Sequence, residues 1–374
     1  MKIEVNDSKK WIGGLYYKRN ILFSMLQNKY IRSNYRIQVY SSSENLQYFK
    51  PFEQNVELVN NDENTIYGKA KALLYGVVHP GMYEFPSNEN IFRKMCGIKS
   101  IQWIPDFQHN YYPDYFTREE CIQRTNSYNQ MLKNDLPLIL SSFSSRDDFE
   151  KFYGQKKGVY VVPFVSYLKP ELEQISYEFE QSVLTKNNLK RKEYICISNQ
   201  FWKHKNHIVV LEAIKKLAIQ NKEFKFVFTG YPIDYRNPEY YNTLQRLFND
   251  PKIKPYVNIV GFVDRTEQIA LMKNAAFIIQ PSLFEGWGTV VEDAKVLDKT
   301  ILLSDIPVHR EQMNKKCKLF SPYNPDELAK LISEEMTIKH NDNIEFGIAD
   351  MYERARKYSE GFEQLLREQE GSSI

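Results

Sequence analysis

Apolar positions in the second half of the chain fall into short runs that alternate with amphipathic stretches at roughly thirty-residue spacing, the rhythm of parallel β-α-β units. The runs Tyr194–Ser198, Phe224–Thr229, Val257–Val260, Ala276–Gln280, Thr300–Ser304 and Lys318–Phe320 read as strands. Between them, His207–Gln220 sets Ile208, Leu211, Ile214, Leu217 and Ala218 at helical spacing, and Thr266–Asn274, Val290–Leu297 and Asp326–Met336 repeat the pattern. A doubly wound α/β sheet follows.

The first half carries the same alternation less regularly. Its strands read as Ile37–Ser41, Ser100–Ile104, Leu136–Ser141 and Val159–Phe164, its helices as Leu15–Gln27, Thr117–Lys133 and Ser145–Phe152. Two stacked α/β domains facing a cleft are expected. Pro163, Pro170 and the polar run LTKNNLKRKE mark a boundary within Pro163–Arg191, with a hinge near Lys186–Lys192. The tail after Asn343 reads as one helix with Met351, Ala355, Tyr358, Phe362 and Leu366 on one stripe, expected to pack back across the hinge. The domains are then 1–185, 186–345 and a C-terminal helix over 346–374.

A length of 374 residues exceeds what one core usually supports, which agrees with two domains. The 50 Lys and Arg nearly balance the 47 Asp and Glu without clustering in either half, which argues against a nucleic-acid binder. Cys96, Cys121, Cys196 and Cys317 lie far apart and read as reduced thiols of a cytoplasmic protein. The start MKIEVNDSKK has charges where a secretory signal needs an apolar stretch, and no window approaches ~20 uncharged apolar residues, so neither export nor membrane spanning is expected. The 26 Tyr and 23 Phe fit sugar-stacking surfaces and also aromatic cores; composition alone does not choose.

The most informative segment is IIQPSLFEGWGTVVEDAK, residues 278–295, where a strand ends at Gln280 and a Gly-flanked turn opens a helix. Gly286 and Gly288, on either side of Trp287, allow close backbone approach, and the amides near Thr289 and Val290 can donate to a diphosphate. Glu285 would then accept sugar hydroxyls, and Glu292 or Asp293, about two turns on, would hold ribose. A helix start decorated with favourable acidic residues has the same sequence. In SNQFWKHKNHIVVLEA, residues 198–213, Lys203 and Lys205 are candidate phosphate ligands on a loop after a strand. A departing nucleoside diphosphate gains negative charge as its bond to the sugar breaks, so a cation aimed at it favours the transition state.

Together these segments resemble glycosyltransferase family 4, retaining enzymes of the GT-B fold, over nearly the whole chain. The resemblance implies that Lys205 holds the donor diphosphate, with Gln200 standing five residues earlier where the family has an Arg. Glu285 matches the family's first glutamate and Asp293, after seven intervening residues, the position of its ribose-binding second, with Glu292 as the neighbouring alternative. Gly261-Phe262-Val263 resembles the base-binding loop, and ILLSDIPVHREQ the strand and loop after the glutamate motif. Gly13-Gly14, read ahead of a helix, matches the loop that approaches the donor phosphates. In SIQWIPDFQHNYYPDYFT, Pro105 takes the place of the family's histidine before Asp106, and His109 is the candidate to reach the same space; a surface histidine is the alternative.

The resemblance implies a retaining hexosyl transfer from a nucleoside-diphosphate sugar, GDP-mannose or a UDP-sugar, to a glycan or lipid-linked glycan. The setting it suggests is bacterial surface polysaccharide, capsule or O-antigen. With six scattered histidines and no Asp-x-Asp pair at a strand end, transfer without a metal or other cofactor is expected. The basic first-helix region with Lys18, Arg19, Lys29, Arg32 and Arg36 either rests on the inner face of an anionic plasma membrane or buries its apolar side internally. A sugar-nucleotide 2-epimerase and a non-catalytic sugar-nucleotide-binding protein are the competing readings.

Overall fold

The computed structural model describes residues 1–5, 12–60, 81–88, 91–218, 225–232, 234 and 236–371. The chain divides into two compact units, one of Met1–Phe107, Ile122–Tyr167 and Tyr352–Ile374, the other of Gln108–Cys121 and Leu168–Met351.

In the first unit, β1 (Lys2–Val5), β2 (Gln38–Ser41), β3 (Glu57–Asn60), β4 (Tyr83–Phe85) and β5 (Lys99–Ser100) form a parallel sheet in the order β3-β2-β1-β4-β5. At Ile101 the chain changes partner: the Ile101 amide donates to the Glu84 carbonyl and the next amide, Gln102, to Pro137. From there β6 (Gln102–Ile104), β7 (Leu138–Leu140) and β8 (Val159–Val161) continue in parallel. β1, β3 and β4 are additional to the strands that the hydrophobic pattern marks.

The helix Ile12–Gln27 includes Gly13 and Gly14 in its first turn, so the pair does not form a loop ahead of it as expected. Its apolar residues Leu15, Ile21, Leu22 and Phe23 are buried, and so are Lys18 and Arg19. This is the internally buried alternative for the basic segment, and only Lys29, Arg32 and Arg36 of that set are exposed. The helix Ile344–Gly371 has the expected stripe, with Met351, Ala355, Phe362 and Leu366 fully buried. Residues up to Met351 group with the second unit and the remainder with the first, where Glu363 accepts from Asn28 at 2.8 Å and Glu368 from Tyr160 at 2.7 Å.

The second unit is built on β9 (Ile195–Ser198), β10 (Phe226–Thr229), β11 (Val257–Gly261), β12 (Ile278–Gln280), β13 (Ile301–Ser304) and β14 (Cys317–Phe320). All pairings are parallel and the order is β11-β10-β9-β12-β13-β14. This is the doubly wound order in which the winding direction reverses between β9 and β12, and ligands of such sheets bind beyond the strand ends at that reversal. Ile195, Ile197, Phe226, Phe228, Ile279 and Leu302 pack on Val210, Leu211, Ile214 and Leu217 of the helix His207–Ala218. Each such side chain contributes about 1.5–3 kcal/mol by burial, against at most ~1 kcal/mol for an exposed ion pair such as Lys216–Asp326. The apolar core therefore fixes the strand ends on which the site is mounted.

The segment read as a polar boundary is helical over Lys169–Gln174 and Tyr177–Lys186. Pro170 sits in a first helical turn, where its missing N–H costs nothing, and Ser176 caps the second helix by accepting from Phe179 N at 3.2 Å. Leu184 and Leu189 of the polar run are buried.

Candidate active site

The loops after β9 and β12 meet where the sheet reverses. Asn199, the first residue past β9, donates to Gln280 Oε1 at the end of β12 at 2.9 Å. Gln280 Nε2 donates to Ser282 Oγ at 3.0 Å and to Glu285 Oε1 at 2.9 Å, and Ser282 Oγ donates to the same carboxylate oxygen at 2.6 Å. Lys205 Nζ reaches that oxygen too, at 2.6 Å. Glu285 Oε1 thus takes three donors from two loops, which holds the carboxylate in one orientation.

The approach of the loops rests on backbone detail. Asn206 adopts a left-handed conformation with φ of 55° and donates from Nδ2 to the carbonyls of Pro281 (3.2 Å) and Pro322 (2.8 Å). The Leu283 amide donates to the His204 carbonyl at 2.8 Å. Gly230, past β10, has φ of 146°, and a Cβ there would lie 2.0 Å from the Asn199 carbonyl oxygen, so only glycine lets the β10 end close on the β9 end.

The Gly286–Gly288 turn leads into the helix Thr289–Val296, with Trp287 buried against the fold. Gln312, at the end of the helix Pro307–Gln312, accepts from the Gly288 amide and donates to the Gly288 carbonyl, both at 3.0 Å. A Cβ on Gly288 would meet Gln312 Oε1 at 2.9 Å and Val291 Cγ2 at 3.0 Å. A single amide side chain therefore holds both backbone groups of Gly288 in the turn.

The two acidic candidates on this helix are both fully buried. Glu292 Oε1 accepts from Lys295 Nζ at 3.1 Å and Gln312 Nε2 at 3.0 Å. Asp293 is held bidentately by Arg265, through Nη1 at 2.8 Å and Nη2 at 2.6 Å. Arg265 begins the helix Arg265–Asn274 behind the N-cap Asp264, and its Nη1 also donates to Gln268, whose amide donates to Ser198 Oγ at 2.6 Å. Breaking such a pair from one side leaves a buried charge alone, so Arg265→Met should cost about 3–5 kcal/mol. The check is a urea midpoint, which Asp293→Asn added to that variant should partly restore.

The remaining candidates fall around this centre or away from it. Gln200, at the Arg position, accepts from the Tyr231 amide at 2.8 Å and braces the loops after β9 and β10. Lys203 lies with its Nζ 4.6 Å from the Tyr115 ring centroid. Phe262, after Gly261 with φ of 78°, is exposed and meets Tyr231 edge-on at 6.1 Å, while Val263 is half-buried. His109 is buried on the helix Gln108–Tyr111, which groups with the second unit; Tyr111 packs on Phe284 at 5.5 Å, one residue from Glu285. Asp106 belongs to the first unit and pairs with Arg124 at 3.2 Å. Gly14 is buried in the first unit. Among the described residues, no group of three or more His, Cys, Asp or Glu side chains is placed to hold a metal ion, and no helix is long and apolar enough to cross a membrane.

Sequence reasoning missed Asn199, Gln280, Ser282, Arg265 and Gln312 as parts of the site. Arg265 had a signal: it directly follows Gly261-Phe262-Val263 and a helix-capping Asp264. The amide and hydroxyl side chains had none.

Three buried histidines surround the same loops. Burial and the Lys205 charge hold His207 down to about 3, and burial holds His309 down to about 4, partly countered by Glu285. His204 lies well below its usual value for the same reason of burial. The unfolded chain therefore takes up these protons first, near pH 6.5, and stability falls as pH drops from there towards 4. At pH 5, His207 and His309 should each cost roughly 2 kcal/mol relative to pH 8. Denaturant midpoints at the two pH values, with His309→Gln flattening part of the difference, check this.

Residues 180–359 match the family described as Glycosyl transferases group 1. The O-antigen chain mannosyltransferase RfbU of Salmonella typhimurium is 21% identical over 219 residues, 59% of this chain and 56% of that relative. The chain thus matches little more than half the length of that curated relative. Among solved structures, Anabaena HepE in complex with UDP-glucose is 15% identical, with TM-score 0.65 and all of both chains covered. WaaG, a glycosyltransferase involved in lipopolysaccharide biosynthesis, is 12% identical with TM-score 0.58, covering 96% of this chain and 95% of that one. The protein has the GT-B fold of two Rossmann-like α/β units, and its residues 180–359 are those of a group 1 glycosyl transferase match.

Proposed function

We propose that the protein is a retaining glycosyltransferase that moves a hexose from a nucleoside-diphosphate sugar to a glycan or lipid-linked glycan in bacterial surface-polysaccharide synthesis. The observation that carries this reading is the Lys205–Glu285 contact of 2.6 Å, at the sheet reversal and beside the Gly286–Gly288 turn. The family match, the name of the mannosyltransferase relative and the UDP-glucose bound to HepE support it. They favour transfer over epimerisation or simple binding.

In this reading the diphosphate lies on the turn and the first amides of the helix Thr289–Val296, and its outer phosphate competes with Glu285 for Lys205. Lys203 adds a second positive charge. As the bond from the anomeric carbon to the phosphate oxygen lengthens, charge grows on the leaving group where Lys205 stands, while Glu285, released from the ammonium but still held by Gln280 and Ser282, accepts from sugar hydroxyls. The acceptor hydroxyl attacks the anomeric carbon on the same face that the diphosphate leaves and passes its proton to the departing phosphate oxygen, so configuration is retained. His109 is assigned to the donor sugar or the reacting hydroxyl, and Phe262 with Val263 to the base. Arg265 is the partly exposed member of the Arg265–Asp293 pair, and the pair as a unit takes the ribose role. GDP-mannose is the leading donor and UDP-sugars the next, and the protein's charge is sufficient without a metal.

The test is release of nucleoside diphosphate from GDP-mannose, UDP-glucose, UDP-galactose and UDP-N-acetylglucosamine, with and without EDTA. Turnover with one nucleotide class, unchanged by EDTA, is expected. Loss of turnover in EDTA overturns the metal-free assignment, and no turnover with any donor overturns the transferase reading.

A further inference from the structure

Phe116, Trp202 and Arg236 come from three distant stretches of the chain and meet inside the second unit. The Arg236 guanidinium lies 4.6 Å from the ring centroid of Phe116 and 4.6 Å from that of Trp202, so one planar cation serves two rings. Its side chain is only 4% exposed, and Asp234, 1% exposed, sets Oδ1 3.5 Å from its Nε. The same carboxylate accepts from the Arg236 amide at 3.1 Å, and from Lys203 N and Asn237 Nδ2, both at 3.4 Å.

A buried ion pair gains little over well-packed apolar side chains, which would fill the space between two rings without its desolvation cost. What the pair adds is geometry. A guanidinium offers flat faces to aromatic rings and keeps its edge for a carboxylate, which neither Lys nor an aliphatic side chain does.

Both rings border candidate site residues. Trp202 opens the short turn Lys203–Lys205, and the Lys205 amide donates to its carbonyl at 2.9 Å. Phe116 is a buried ring of the segment Gln108–Cys121 and meets the buried His109 edge-on at 6.3 Å. Neighbouring contacts join the same two stretches: Asn237 donates to the Tyr115 carbonyl at 3.4 Å, and Lys203 Nζ lies 4.6 Å from the Tyr115 ring centroid. The Lys203–Lys205 turn has further ties of its own, through Asn206 and the His204 carbonyl, to the loops after β12 and β14. Loss of Arg236 therefore falls mainly on the Phe116 side.

We infer that Arg236 is a positioning residue that anchors the segment Gln108–Cys121 to the turn carrying Lys203 and Lys205 and so holds His109 in place for transfer. The part of His109 in transfer rests on the transferase reading above; the anchoring by Arg236 does not.

The test uses the full chain with Arg236→Met, which keeps an apolar stem and loses plane and charge, and Arg236→Lys, which keeps the charge alone. Phe116→Leu removes the ring from the other side with the Arg236–Asp234 pair intact, and it carries the comparison where Arg236→Met does not fold. The amides of Tyr112, Tyr115 and Phe116, hydrogen-bonded within the segment, should exchange hydrogen about tenfold faster in Arg236→Met and Phe116→Leu, while β9–β14 stay protected. Release of nucleoside diphosphate from UDP-glucose or GDP-mannose should fall about tenfold in kcat with donor KM within about twofold, because the Lys205 turn keeps its other ties. Arg236→Lys should recover part of the rate. Added to His109→Gln, Arg236→Met should cost nothing further, since a group that acts through His109 has nothing left to position.

Unchanged exchange over residues 108–121 in both variants overturns the anchoring. Faster exchange with unchanged kcat, or losses that multiply in the double variant, overturns the positioning role and leaves the transferase reading standing. A wild type that releases no nucleoside diphosphate from either donor sinks the transferase reading and the positioning role with it, and the exchange result still decides the anchoring.

Discussion

Replacing Glu285 by Ala should lower turnover by about three orders of magnitude while the unfolding midpoint stays within a few degrees. Glu285 is a loop residue, partly open to solvent, whose Oε1 is held by Gln280, Ser282 and Lys205. Its removal deprives the buried Gln280 and Ser282 and the partly exposed Lys205 of one shared acceptor, a structural cost of about 1–3 kcal/mol. The chemical cost is large because no other carboxylate takes its place: Glu292 and Asp293 are buried and engaged by Lys295, Gln312 and Arg265. Glu285→Gln keeps the shape and loses the charge, so it should recover binding better than rate. Donor-hydrolysis kinetics alongside thermal unfolding read both terms, and wild-type turnover by Glu285→Ala removes the residue from the site.

Lys205→Ala should reduce kcat by about a hundredfold and change the donor KM far less, since the charge it meets grows on the way to the transition state. Lys205→Arg should recover only part of the rate, because a planar guanidinium does not occupy the position of a compact ammonium. The two residues act through one contact of 2.6 Å, so the double variant should lose less than the product of the single losses. A raised KM with unchanged kcat would mean that Lys205 binds the ground state only.

The sheet of the second unit could be read from the sequence because its strands are apolar runs set off by helical periodicity. The missing strands of the first unit lacked that contrast. β4 consists of Tyr83, Glu84 and Phe85, and its buried carboxylate is compensated by Lys2 at 3.3 Å and Arg93 at 2.8 Å, partners that only the fold brings near. β1 lies in a segment whose charges dominate its reading, and β3 is at the sheet edge with half-exposed residues.

Among the site candidates, Glu285 and Lys205 were legible as charged residues on loops between strand and helix at positions that the family resemblance singles out. Their contact across 80 positions could not be seen in advance. Nor could the frame around them, since Asn, Gln and Ser occur everywhere and only the strand order places Asn199 against Gln280. Asp293 remains the ribose candidate by position, and the structure adds what spacing does not show, that Arg265, 28 residues earlier, holds both of its oxygens. His109 shows a limit of spacing as a guide, because the segment Gln108–Cys121 groups with the unit that most of its sequence neighbours do not join.

The central claim is that the turn beside Lys205 and Glu285 holds a nucleoside diphosphate, and calorimetric titration of UDP, GDP and dTDP into the wild-type chain and Lys205→Ala tests it most directly. Binding of one nucleotide to the wild type, weakened in the variant and diminished by salt, is the predicted result. Absence of binding by all three, or equal affinity in both proteins, would contradict it.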